Sequence, residues 1–145
     1  MRRDRGGRGG VIINVASRAG THIYSFLPTY SASKHAVVGF TTSLAMGPDQ
    51  RNHGVRWCCL CPDAIQTSAA SNKDLTSHPE LAKQYVQKHG AMPISQVVQA
   101  VMKLIRDPDN NCAILEVSHE KGARYLRRQV VDRDDVSDVE VVDTY

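Results

Sequence analysis

Ser17, Tyr30 and Lys34 are the residues of this chain whose types and spacing can do chemistry. Tyr30 follows Ser17 by thirteen positions and Lys34 follows Tyr30 by four. A helix repeats every ~3.6 residues, so Tyr30 and Lys34 share one helix face. A phenol beside an ammonium is a proton-transfer device. An unperturbed phenol, with a pKa of ~10, is a poor base at neutral pH. A neighbouring cation favours phenolate and makes the base usable. A hydroxyl nearby, here Ser17, can hold the group being deprotonated. With five Tyr and six Lys among 145 residues, the bare Tyr-x-x-x-Lys spacing is weak, and its surroundings must carry the argument.

Val11-Ile12-Ile13-Asn14-Val15 is a β-branched apolar run entered through glycines, which reads as a buried strand. A loop at 16–20 leaves it, placing Ser17 just past the strand end. A helix is expected from Thr29 to Met46, closed by Gly47-Pro48. Val37, Phe40 and Leu44 would form its apolar face. Ala32, Ala36, Gly39 and Ser43 form a second stripe, small enough for close approach of another helix. Val55 to Cys61 is a second strand stopped by Pro62, and residues 63–78 are a polar loop. A short helix is expected over 79–88. An amphipathic helix follows, with Ser95 as its N-cap and Val97, Val98, Val101, Leu104 and Ile105 on its apolar positions. Ala113 to Val117 is a third strand, and the pattern dissolves after about Tyr125. Strand–helix–strand–helix–strand implies a parallel, helix-covered α/β sheet. Ligands gather at the carboxyl ends of such strands, where Ser17 and the segment after Pro62 both lie.

The run Tyr30-Ser31-Ala32-Ser33-Lys34-His35-Ala36, with Cys61-Pro62-Asp63-Ala64-Ile65-Gln66-Thr67 one strand later, resembles the C-terminal half of the short-chain dehydrogenases/reductases. The resemblance covers roughly residues 1–125. It implies a partial doubly wound, Rossmann-like sheet of about three strands with flanking helices, its N-terminal half missing. The chain then divides into an Arg/Gly-rich leader (1–10), a partial catalytic domain (11–125) and an acidic, disordered tail (126–145). The implied activity is NAD-dependent oxidation of a secondary alcohol on a lipid-like substrate, a hydroxy fatty acid or a prostaglandin-like molecule. The choice of NAD over NADP is not readable from these residues. Tyr30 would be the general base, and the Lys34 ammonium would lower its pKa and hold the nicotinamide ribose. Ser17 would bind the substrate oxygen and Leu27 would lie against the substrate. Pro62, Ile65, Gln66 and Thr67 would hold the nicotinamide. The small-residue helix 29–46 would support a homodimer. The alternative is a catalytically inactive fragment acting as an interaction or dimerisation module.

Three departures from the family pattern bear on that implication. Asp63 stands where the family has Gly, which admits backbone conformations that Asp adopts at a cost. The family's catalytic Asn has no counterpart, since Asn14 lies within a strand. No glycine-rich turn follows a strand, because Gly6-Gly7-Arg8-Gly9-Gly10 precedes one, the wrong context for a phosphate loop. Without its usual inner neighbour, the first strand would present an exposed Val/Ile edge, open to pairing or aggregation.

Composition excludes several other classes. The net charge of +3 is too small to argue for nucleic acid. Its extremes are Arg2, Arg3, Arg5 and Arg8 in the leader and six acids in the last sixteen residues, both read as solvated. No apolar run approaches the ~20 residues of a membrane span, so a soluble, cytoplasmic protein is the expectation. Cys58, Cys59 and Cys61 crowd one strand, whose successive residues point to opposite faces, which suits buried free thiols better than a metal site. No metal is expected. The six His are scattered and read as surface or loop residues.

Overall fold

The computed structural model describes residues 1–48, 50–67, 76 and 78–126. Glycines lead into β1 (Gly10–Val15), and a 3-10 turn (Arg18–Gly20) follows it. Helix α1 (Pro28–Ala45) starts with Pro28, whose fixed φ and missing N–H suit a first turn. A one-turn α2 (Gln50–His53) precedes β2 (Val55–Pro62). Helices α3 (Pro79–His89) and α4 (Ile94–Arg106) then lead to β3 (Ile114–Ser118) and β4 (Gly122–Leu126).

The strands lie in the order β1-β2-β3-β4, with β1, β2 and β3 parallel and β4 antiparallel to β3. Successive residues of β2 point to opposite faces. Cys58 and Leu60 face a core built with Leu104, Ala100, Met92, Leu115 and Val117. Cys59 and Cys61 face a second core with Val38, Ala16 and Ile114. Helices α4 and α1 therefore cover opposite faces of one sheet, as a doubly wound arrangement requires. No disulfide joins the four cysteines, and Cys58, Cys59 and Cys61 are buried. Arg56, from β2, donates to the carbonyls of Leu104, Ile105 and Asp107 and to the Asn110 side chain. It thereby supplies the C-terminal donors that the last turn of α4 lacks.

Several expectations need correction. Among the described residues the sheet has four strands, where about three were expected. A hairpin turn at Gly122, with φ 62°, returns β4 along β3. Strand β1 is half-buried rather than buried, because it is the sheet's outer parallel strand, and Val15 is 57% exposed. In α1 the buried residues are Ser31, Val38, Thr41 and Ala45, while Phe40 is 61% exposed. The core face keeps the helical period but is rotated by one residue, about 100°, from Val37–Phe40–Leu44. Ser95 does not cap α4: Pro93 precedes its first residue, with no side-chain cap bond. Val98 and Ile105 are exposed, and Ala100 and Leu104 face the core. The leader is mostly exposed but folded back. A 3-10 turn spans Arg3–Arg5, the Gly9 N–H donates to Met1 O at 2.8 Å and the Gly10 N–H to Gly54 O at 3.0 Å. The acidic tail past Leu126, and most of the loop expected at 63–78, lie outside the described residues. Among the described residues no helix is long and apolar enough to cross a membrane, and no His/Cys/Asp/Glu group could hold a metal.

Candidate active site at the carboxyl ends of β1 and β2

The chain leaves β1 at Val15 and turns at Ser17, the N-cap of the 3-10 turn. The Ser17 hydroxyl accepts from the Ala19 N–H at 3.2 Å and donates to the Pro62 carbonyl at 3.3 Å. It therefore ties the end of β1 to the end of β2. Leu27 sits at the N-terminus of α1, its carbonyl accepting from the Ser31 N–H at 2.8 Å. One turn into α1, the Lys34 ammonium lies 5.5 Å from the Tyr30 ring centroid. The same ammonium donates to the Val15 carbonyl at 3.4 Å. Tyr30 and Lys34 thus meet at the carboxyl end of β1, two residues before Ser17.

The turn at 16–20 can come this close to α1 because residue 20 is glycine. A Cβ there would stand 2.6 Å from Lys34 O. Past β2, Ile65 bridges to Met92, the Gln66 N–H donates to Met92 O, and the Gln66 amide donates to Ala91 O at 2.9 Å. The Thr67 N–H returns to Ile65 O at 2.8 Å. These bonds fix 65–67 as a shelf beside Pro62. Asn14, on β1, donates to Thr41 of α1 at 2.9 Å, as a strand-to-helix tie outside the site.

Asp63 is engaged rather than projecting into the site. Arg18 donates to it at 2.7 Å, and the Tyr85 hydroxyl donates to it at 2.9 Å. Tyr85 in turn accepts from Arg18 at 3.1 Å and meets the Tyr24 hydroxyl at 3.0 Å. A phenol has one donor and two acceptor positions, so Tyr24 must be the donor in that last contact. Burial opposes the Arg18 charge. Its hydrogen bond to Asp63, together with the charges of Tyr24, Tyr85 and Asp63 around it, outweighs that and holds the guanidinium above its ordinary value. Burial, then donation to Tyr85, push the Tyr24 phenol well up, and burial raises Tyr85.

Behind this pair lies Glu116, a carboxylate only 1% exposed in the middle of β3. Arg124 approaches it at 2.8 Å, Arg18 at 3.4 Å and His22 at 3.4 Å, and Thr21 donates to it at 3.3 Å. The rings of Tyr24, Phe26, Tyr85 and His89 stack edge-on or tilted, with neighbouring centroids between 4.6 and 6.0 Å apart. Arg18, Tyr24, Tyr85 and Glu116 did not stand out in the sequence. The available signal was an acid inside the apolar run Ile114–Val117. His22, half-exposed at Glu116, and His89, 3.0 Å from Glu120, are more engaged than surface residues. Cys61 is no competing nucleophile, since its hydrogen bond to Cys59 at 3.9 Å and its burial hold the thiol far above its ordinary value.

Short chain dehydrogenases match residues 1–78 as a family. Across 132 residues the chain is 32% identical to 15-hydroxyprostaglandin dehydrogenase [NAD(+)] of Rattus norvegicus and 30% identical to that of Homo sapiens. Each match covers 86% of this chain and 50% of the relative, so the chain spans about half the length of these curated relatives. Among solved structures, the F189W actinorhodin polyketide ketoreductase with NADPH superimposes with a TM-score of 0.63 at 27% identity, covering 80% of this chain and 48% of that one. Levodione reductase, at 24% identity, shares the fold with a TM-score of 0.63 over 81% of this chain and 47% of its own. With its α/β sheet, its Ser, Tyr and Lys at one strand end and these matches, the chain belongs to the short-chain dehydrogenase family of oxidoreductases.

Proposed function

We propose that this chain supplies the proton-handling side of a NAD-dependent oxidation of a secondary alcohol on a lipid-like substrate, a hydroxy fatty acid or prostaglandin-like molecule. The observation that carries the reading is the Lys34 ammonium over the Tyr30 ring, pinned by Val15 O at the end of β1. The names of the 15-hydroxyprostaglandin dehydrogenase [NAD(+)] relatives support the substrate class and the cofactor. Tyr30, as phenolate, takes the hydroxyl proton, and Lys34 stabilises the phenolate charge. Ser17 binds the substrate oxygen by exchanging its long bond to Pro62 O for it. Leu27 lies against the substrate.

The fit to the dinucleotide is partial. Lys34, Tyr30 and the shelf Pro62, Ile65, Gln66 and Thr67 suit the nicotinamide end, where NAD when bound accepts a hydride. The glycines of the leader make no pyrophosphate cradle. A Cβ on Gly7 would stand 2.3 Å from Met1 O and one on Gly9 2.3 Å from Gly54 O, so their space is filled by the chain's own backbone. A homodimer through α1 belongs to the same reading, with Ala32, Ala36, Phe40 and Ser43 exposed on its outer face, and sedimentation of the chain tests it. Cytoplasmic location belongs to it as well.

The half-buried outer strand β1 favours a second reading, an interaction module without turnover. Calorimetry with NAD and a turnover assay on a hydroxy fatty acid separate the two. Micromolar NAD binding with turnover abolished by Tyr30→Phe, NAD affinity being kept, supports the oxidoreductase. Retained turnover in Tyr30→Phe overturns Tyr30 as base. Absent NAD binding, with co-assembly on a relative, supports the module.

A further inference from the structure

Helix α3 has no buried residue, so the sheet does not hold it by apolar burial. Elements of this kind open at low free-energy cost. What moors α3 is polar and aromatic. At its C-terminus His89 meets Glu120 at 3.0 Å. One turn earlier, Tyr85 is the hub already described. It donates to Asp63, accepts from Arg18 and Tyr24, and packs against the rings of Tyr24 and Phe26. Arg18 follows Ser17 directly, and Asp63 follows Pro62, whose carbonyl Ser17 holds. Tyr24 and Phe26 lie on the segment that runs into Tyr30. The hub therefore joins α3 to both strand ends that carry the candidate site.

We propose that Asp63 is a positioning residue that, through Tyr85, latches α3 beside the site and sets the Tyr24–Phe26–Tyr85–His89 cluster as a wall for the apolar part of the substrate. The residue that departs from the family Gly thereby acquires a role. Its carboxylate is paired with Arg18 and accepts from Tyr85 and from the Ala64 N–H. The ring faces and edges of the cluster suit a long or ring-bearing apolar substituent. The term substrate rests on the proposed alcohol oxidation, whereas the latch does not depend on it.

Hydrogen exchange read by mass spectrometry on the purified chain tests both parts. Asp63→Asn removes the charge that pairs Arg18, and Tyr85→Phe removes only the phenol oxygen. A hydrogen bond to a charged group contributes about 1.5–3 kcal/mol, so exchange across 79–89 should rise roughly tenfold or more in each variant. Exchange in β2 and β3 should stay as in the unaltered chain. Unchanged exchange across 79–89 in both variants overturns the latch. A uniform rise through β2 and β3 overturns it too, because Asp63 would then be core support. The wall is read by adding a long-chain secondary hydroxy fatty acid. It should add protection at 21–27 and 79–89 in the unaltered chain and much less in Tyr85→Phe. No added protection overturns the wall while leaving the latch standing, so the two readings fail separately.

Discussion

Gly20→Ala is the substitution for which the structure yields the sharpest magnitude. A Cβ on residue 20 would lie 2.6 Å from Lys34 O, 2.9 Å from Lys34 C and 3.0 Å from Val38 Cγ2, where ordinary contact begins at 3.4 Å. The turn and α1 must therefore separate by 3.4 − 2.6 = 0.8 Å, and the nearest atoms are backbone, which cannot rotate away. Overpacking of this kind costs about 1–3 kcal/mol. At about 4 °C per kcal/mol, the melting temperature should fall by roughly 4–12 °C. The displaced turn begins at Ser17 and the displaced helix segment carries Lys34, so the damage falls on the site itself. A misplacement near 1 Å can cost about a hundredfold in rate, so the proposed oxidation should slow by roughly that factor. Gly39→Ala is the matched control. A Cβ there meets nothing within 4 Å, and in a helix interior it should raise stability by up to about 1 kcal/mol. Circular-dichroism melts of the two variants decide the matter. Gly20→Ala melting within a degree of the parent, or Gly39→Ala falling as far as Gly20→Ala, would refute the close-approach argument.

Glu116→Gln removes the charge that Arg18 and Arg124 share, in a residue 1% exposed. Breaking a buried pair from one side costs about 3–5 kcal/mol, less here because Arg124 can reach water, so urea denaturation should show a loss of about 2–4 kcal/mol. Stability should also fall in alkali. Burial, the leading cause, holds the Tyr24, Tyr85 and Tyr125 phenols above their ordinary value and pushes Cys58 up to about 11. Above the unfolded values, ~8.5 for Cys and ~10 for Tyr, the native state binds more protons than the unfolded one, so stability declines as pH rises. These groups contribute no change at lower pH. Urea midpoints measured from about pH 8 to about pH 11 should decline progressively, and less steeply in Tyr85→Phe. Midpoints that hold level would refute the assignment.

The strands and long helices were legible because their signals are local. A β-branched run marks β1, largely apolar runs mark β2 and β3, and Gly47-Pro48 marks the end of α1. Tyr30 and Lys34 meet one helix turn apart, as the spacing implies, and Lys34 reaches the carboxyl end of β1 just before Ser17. Strand β4 was not legible. Its alternating pattern carries Arg124 on an inward position, which looks polar until Glu116 is placed opposite. The face of α1 was misjudged for a related reason. Thr41 is buried because it donates to Val37 O at 2.7 Å and accepts from Asn14, so a polar residue takes a core position and Phe40 is turned outward. The Arg18–Asp63–Tyr85 hub joins residues up to 67 positions apart, and no short window of sequence contains it.

The Arg56 cap on α4 constrains the order of events in folding. Its acceptors lie 48 to 54 positions along the chain, so the last turn of α4 gains these donors only after a long loop has closed. Until β2 is paired and α4 is laid across it, those carbonyls are left to water and the helix end frays. Completion of a helix is thereby made conditional on assembly of the sheet. Half-formed species with a finished α4 but no β2 are disfavoured, and the transition becomes closer to all-or-none.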